Sequence, residues 1–241
     1  MNNADILISS FQAKFDQARA KHCQKYFKCG PGEYGDGDKF LGIAVPDIRN
    51  EIKQYLDLDI SEISSLLASE WHEIRLAALF LLIKKYKKHF QMRENIVNIY
   101  IQNLTNNRIN NWDLVDSSAP HILGEYFLDK NHLPLFKLAE TNHLWCKRAA
   151  IIATLTFIRN EKYDTIIKLA EDSIKDTRDL IQKASGWMLR ETGKKNPEII
   201  LNFLDKNSLM MPSVMLRYAI ERFPEKKRQY YLKMKKRKGS N

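Results

Sequence analysis

Leu144-Trp145-Cys146-Lys147-Arg148-Ala149-Ala150 carries both elements whose recurrence decides the fold: a tryptophan, and an Arg-x-Ala triplet at Arg148 and Ala150. Tryptophans stand at 71, 112, 145 and 187, separated by 41, 33 and 42 residues. The triplet recurs at Arg75/Ala77, 73 residues earlier, and at Arg217/Ala219, 69 residues later. A mean tryptophan spacing of about 39 matches stacked helix pairs, and the triplet interval spans roughly two such pairs. One helix pair leaves an apolar face uncovered; stacking buries it, and the second helices then line a curved surface.

Outward from that stretch, apolar residues recur at three- and four-residue spacing and strand-like alternation is absent. The expected fold class is all-α, an α-α superhelix (solenoid) of HEAT-like helical repeats. Leu7, Phe11, Phe15, Ala18 and His22 form one stripe of a first helix, with Asn3 or Asp5 as its N-cap. Pro46 suits the first turn of the next helix, where a missing N–H costs nothing. Asp59 with Glu62 reads as a capping box. Further starts are expected near Glu70, Arg93, Asn111, Pro134, Asn142, Asp164, Asp176, Asn196 and Pro212. Five of the nine glycines fall between Gly30 and Gly42. That segment matches neither GxGxxG nor a P-loop, and it follows no strand, so it reads as a surface loop rather than a nucleotide cradle.

The 241 residues, 44% hydrophobic and 28% charged, are globular in composition, and a single domain over 1–225 followed by a basic tail over 226–241 is expected. No apolar run of about 18 residues and no basic-then-apolar leader appears, which predicts a cytoplasmic chain without a membrane partner. Cys23, Cys29 and Cys146 are too scattered for a disulfide framework, and the six histidines form no metal-ligand pair, so neither metal nor cofactor is expected. A formal charge of +10 suggests a polyanionic partner. Eight of the basic residues lie between Lys226 and Lys238, leaving 31 basic and 29 acidic side chains elsewhere. The charge therefore sits largely in the tail.

Two stretches have the residue types for chemistry. In Asn110-Asn111-Trp112-Asp113-Leu114-Val115-Asp116-Ser117-Ser118-Ala119-Pro120, a cap at Asn110 or Asn111 puts Trp112 and Asp116 four residues apart on one helix face. In Ile181-Gln182-Lys183-Ala184-Ser185-Gly186-Trp187-Met188-Leu189-Arg190-Glu191, Trp187 lies 39 residues, one repeat, after Arg148. Taken alone, an acid near a helix start complements the helix dipole, a tryptophan packs in a core and an arginine pairs between helices. The residues by themselves leave both accounts open.

These stretches resemble those of the AlkD family of DNA alkylpurine glycosylases over nearly the whole chain. Its markers are Tyr26-Phe27-Lys28, Phe40-Leu41-Gly42-Ile43, Val45-Pro46-Asp47-Ile48-Arg49, Trp112-Asp113-Leu114-Val115-Asp116, Lys147-Arg148-Ala149-Ala150 and Ala184 through Glu191. The resemblance implies that Asp116 is the catalytic carboxylate, that Trp112 and Trp187 flank the sugar, and that Arg148 contacts the backbone. Tyr26 matches a tyrosine near the family's cleft, and Lys147 and Lys183 join the DNA-contact candidates. The glycine-rich insertion between Tyr26 and Phe40 departs from some members and adds Tyr34 and Lys39 as possible contacts.

The implied partner is double-stranded DNA containing alkylated purines, bound by a monomer. A purine alkylated at N3 or N7 is already cationic and leaves without a general acid. A fixed carboxylate stabilises the oxocarbenium character that grows on the sugar and orients water, while indole faces attract the same cation. Nothing around Lys147 argues for a lowered pKa, so the expected enzyme is monofunctional. The competing reading is a non-catalytic HEAT-repeat scaffold for nucleic acid or protein, which fold alone does not separate.

Overall fold

The computed structural model describes residues 3–238, with side chains to 235. Helices run α1 (Asn3–Gln12), α2 (Gln17–Tyr26), α3 (Val45–Glu51), α4 (Ile60–Leu67), α5 (His72–Lys88), α6 (Arg93–Thr105) and α7 (Trp112–Ala119). They continue as α8 (Glu125–Phe127), α9 (Leu133–Glu140), α10 (Leu144–Arg159), α11 (Asp164–Asp172), α12 (Asp179–Lys195), α13 (Pro197–Asn207), α14 (Ser213–Ala219) and α15 (Glu225–Lys238). Among the described residues the one β-type pairing is an isolated bridge between Lys39 and Trp71, and no helix is long and apolar enough to cross a membrane. Most of the expected basic tail falls in α15; residues 239–241, and the side chains of 236–238, lie outside the described residues.

Contacts divide the chain into two compact units, Met1–Ser118 and Ala119–Asn241. In the first, α5 is the core element: Leu76 through Ile83 are buried without interruption, as expected of a helix surrounded by others. It packs against α3, α4 and α6. In the second, α10 has that place, buried from Arg148 through Thr154, and packs against α9, α11 and α12. α12 in turn packs against α13 and α14.

Local chemistry sets the boundaries. Asp59 and Glu62 form the expected capping box of α4, each side chain accepting the other's backbone N–H. Pro46 lies in the first turn of α3 and Pro134 in that of α9. Asn196 caps α13 by accepting from the N–H groups of Glu198 and Ile199.

The first helix differs from expectation. The stripe from Leu7 to His22 is broken at Asp16, which leaves helical dihedrals and caps a separate α2 by accepting from the Arg19 N–H. Phe15, Ala18 and His22 are consequently exposed, and Asp5 lies inside the first turn of α1 instead of capping it. α12 also begins three residues beyond Asp176, because that carboxylate turns to Arg178. At Gly42 the glycine is required twice: φ is +83°, and a Cβ there would stand 2.5 Å from the Asp16 carbonyl.

Candidate functional site

α7 begins at Trp112 because Asn111 turns its side chain back on the chain. Its Oδ1 accepts from the Trp112 N–H at 2.9 Å, while its Nδ2 donates to the Phe27 carbonyl at 3.3 Å. Buried Leu114, Val115 and Ser118 hold the inner face of the helix, so Trp112 and Asp116, one turn apart and both half-buried, share a more exposed one. Pro120 has no N–H to offer the Asp116 carbonyl, and the helix widens there into a π-turn over Pro120–Gly124. The Thr156 hydroxyl donates to the Pro120 carbonyl at 2.6 Å and fastens that turn to α10.

Trp112 is held by rings. Phe27 stacks on it with centroids 5.3 Å apart, and Tyr26 meets it edge-on at 5.9 Å. Phe27 also packs against His72 at 5.2 Å and Phe40 at 5.1 Å, and Phe40 stacks on His72 at 4.4 Å. Tyr26 itself is exposed.

Behind the rings lies a buried charge network. His72 Nδ1 is 2.9 Å from Asp38 and Nε2 is 2.8 Å from Asp113. Arg75 pairs with Asp38 and donates to the Ser69 carbonyl and to Asn110. Glu73, 3% exposed, accepts from the backbone N–H groups of Leu41 (2.9 Å), Gly42 (2.8 Å) and Ile43 (3.2 Å), fixing the end of the glycine-rich segment. Burial disfavours the charge on His72, but Asp113 and Asp38 outweigh it and raise its pKa from 6.5 to about 9. Burial likewise opposes ionisation of Asp38, yet His72 and Arg75 hold its carboxyl below the usual range.

The second unit holds the remaining candidates. Arg148 is buried, and its Nη1 donates to the Leu180 carbonyl at 2.6 Å in the first turn of α12. Arg75 does the equivalent thing in the first unit, reaching Asn110 just before α7, so two of the three triplet arginines tie their helix to the start of a later one. Lys147 pairs with Asp176 at 2.9 Å, with little of either side chain exposed. Burial pushes Asp176 up, but hydrogen bonds from Arg178 and Lys147 hold it well below the ordinary carboxylate range. Trp187 is half-buried and its indole N–H donates to Glu191 at 3.1 Å. Lys183 pairs with Asp179 at 2.6 Å on the surface of α12. Trp145 is a core residue. Of the glycine-rich candidates, Lys39 pairs with Glu70 at 2.6 Å and Tyr34 is half-buried.

Tyr26, Trp112 and Asp116, candidates from the sequence, all fall in the first unit, and Asn111 stands at the helix start as one of the two expected caps; sequence reasoning gave no role to the groups around Trp112, namely Phe27, Asp38, His72 and Asp113. A signal was present in His72-Glu73-Ile74-Arg75, three ionisable residues placed just before the unbroken apolar run from Leu76 to Ile83. Such residues are seldom buried unless paired.

The molecule is thus an all-α helical-repeat protein with an indole and a carboxylate on one helix face, braced by buried ion pairs. The model of the DNA alkylation repair enzyme family matches residues 7–223, and the chain belongs to that family. Its fold is similar to the solved structure of a predicted DNA alkylation repair enzyme from Enterococcus faecalis, with a TM-score of 0.68. The two are 18% identical, and the match covers 88% of this chain and 98% of that one. The superhelical class expected from the tryptophan spacing is the class of this family. No curated protein matches the sequence.

Proposed function

We propose that this member of the family is a monofunctional DNA glycosylase that hydrolyses the N-glycosidic bond of N3- and N7-alkylated purines. The observation that carries the reading is the placement of Trp112 and Asp116 on one face of α7, the indole packed by Phe27 and Tyr26 and the Trp112 backbone N–H held by Asn111. As the bond between C1′ and the cationic base breaks, the base leaves neutral with the bonding electrons. Positive charge appears on the sugar, where the Asp116 carboxylate and the Trp112 face stabilise it. Water adds to C1′, and its proton passes to Asp116 and then to solvent. Tyr26, exposed beside Trp112, contacts the strand. In the second unit, Arg148, Trp187, Lys147 and Lys183 contribute to holding the DNA.

Release of 7-methylguanine and 3-methyladenine from methylated duplex DNA tests the proposal. The expected result is release above the spontaneous rate, abolished in Asp116→Asn with DNA binding retained. Binding without release from the unaltered protein would make the chain a scaffold, and release by the variant equal to the parent's would remove Asp116 from the mechanism.

A further inference from the structure

We infer that the bridge Asp38–His72–Asp113 is a positioning device for Trp112, tying the glycine-rich segment and α5 to the first turn of α7 while backing the ring that stacks on the indole. The inference deepens the proposed glycosylase reading and rests on it for its activity readout. Its structural readout does not depend on that reading.

Three observations converge. First, each ring nitrogen of one buried imidazole meets a carboxylate from a different segment, Asp38 from the loop and Asp113 from α7. An imidazolium donates to both; a neutral imidazole has one N–H and serves one. Second, the other Asp113 oxygen, Oδ1, is buried without a hydrogen-bond partner, so His72 is what compensates this carboxylate's charge. Third, Asp113 adjoins Trp112 in sequence, and Phe27 packs on both His72 and Trp112. Loss of the proton therefore acts on the indole through the backbone of α7 and through the ring stack.

The charged and titratable groups around His72 are few. The loop contributes Asp38, α5 contributes Arg75 and Glu73, and α7 contributes Asp113. The carboxylates of Asp38, Asp113 and Glu33 help burial to push the Cys29 thiol up to about 12. Burial and the charges of Glu73 and Asp113 raise that of Cys23. Both thiols thus resist ionisation, leaving His72 to change charge first as pH rises above neutrality.

The test follows His72 directly by NMR of the ring nitrogens between pH 6 and 11, in the parent and in Asp113→Asn. Both nitrogens of the parent are expected to stay protonated to about pH 9. The midpoint in Asp113→Asn should fall by at least about one pH unit, the effect of removing an opposite charge at contact. Trp112 emission, taken as the difference from Trp112→Phe, should shift with the same midpoint. Excision kcat/KM should lose activity along an alkaline limb that moves with the His72 midpoint in Asp113→Asn. In His72→Gln the limb should vanish and kcat/KM drop about tenfold, the scale of a modest misplacement. A merely structural histidine would lower stability without moving a limb. If His72 titrates in the parent while neither Trp112 emission nor excision follows it, the inference is overturned, whether or not the variants fold. If no base is released at any pH, the glycosylase reading fails, and the emission shift alone decides the positioning role.

Discussion

Gly186 precedes Trp187 on α12, and α14 approaches so closely that a Cβ at 186 would stand 2.5 Å from the Met215 carbonyl oxygen and 2.6 Å from the Tyr218 Cβ. Ordinary contact begins near 3.4 Å, so Gly186→Ala forces the two helices apart by about 0.9 Å. The obstacle is backbone and cannot swing aside. α14 carries buried Met215, Leu216 and Ala219 into this interface, and opening it costs about 1–3 kcal/mol or slightly more, as overpacking does. Replacing a helical glycine by alanine returns roughly 1 kcal/mol of helix propensity. Because the obstacle is backbone, the upper end of that cost, about 3 kcal/mol, applies, and the expected net loss is about 2 kcal/mol.

Gly193, on the same helix, supplies the comparison: a Cβ there stands 2.9 Å from the Ile200 Cγ2 methyl, with the rest of that buried side chain at 3.5 Å or beyond and no backbone atom among its nearest neighbours. Gly193→Ala should therefore cost less than Gly186→Ala, since one side chain and not a helix backbone has to shift and the same propensity gain applies. Urea unfolding of the three proteins, followed by circular dichroism, measures the difference. Under the proposed function, excision should also weaken more in Gly186→Ala than in Gly193→Ala, because Trp187 adjoins position 186. Equal stability of Gly186→Ala and the parent would refute the close-packing argument.

Glu73→Gln keeps one acceptor oxygen but sets an amide N–H against the N–H of Leu41 or Gly42, and should cost about 2–3 kcal/mol in urea unfolding; an unchanged midpoint would show that the carboxylate does not fix the loop. His72, whose pKa rises from 6.5 unfolded to about 9 folded, contributes stability that is complete below about pH 6.5 and lost as pH rises through about 9. The shift corresponds to about 3 kcal/mol. The unfolding free energy of the parent should fall by that amount relative to His72→Gln between pH 6 and pH 10, and parallel curves would contradict the linkage. Arg148→Ala leaves the Leu180 carbonyl without this donor and should destabilise by about 1–3 kcal/mol. If Arg148 also meets a phosphate, the slope of log affinity against log salt falls by about one; lost stability with an unchanged slope confines it to fastening α10 to α12.

What was legible in the sequence was whatever repeats or acts locally. Tryptophan spacing gave the helical-repeat class because a period survives without knowledge of contacts. Asp59 and Glu62 announced the start of α4 because both partners lie within one turn. The same reasoning ran Leu7 to His22 together, since a heptad-like stripe does not show that Asp16 turns out of the helix to cap the next one. Trp112 and Asp116 were visible as a pair at helical spacing. Their support was not: His72 lies 34 residues from Asp38 and 41 from Asp113, and Phe27 is 85 positions before Trp112. No local pattern links such residues.

The ion pairs also rank the basic residues that charge alone could not. Lys183 and Asp179 form an exposed i,i+4 pair, of a kind worth about 0.3–0.5 kcal/mol. A phosphate oxygen can replace that carboxylate at little cost. Lys147 is different: its partner Asp176 is 6% exposed, so opening the pair takes one of two cations from a buried carboxylate and leaves it to Arg178 alone. Under the proposed function a DNA strand would therefore recruit Lys183 more readily than Lys147, which is tied to the turn that leads into α12. The same distinction separates the two halves of the chemistry. Under the proposed function, exposed charges exchange partners with the substrate, whereas the buried set around His72 is paired from within and holds Trp112 in place.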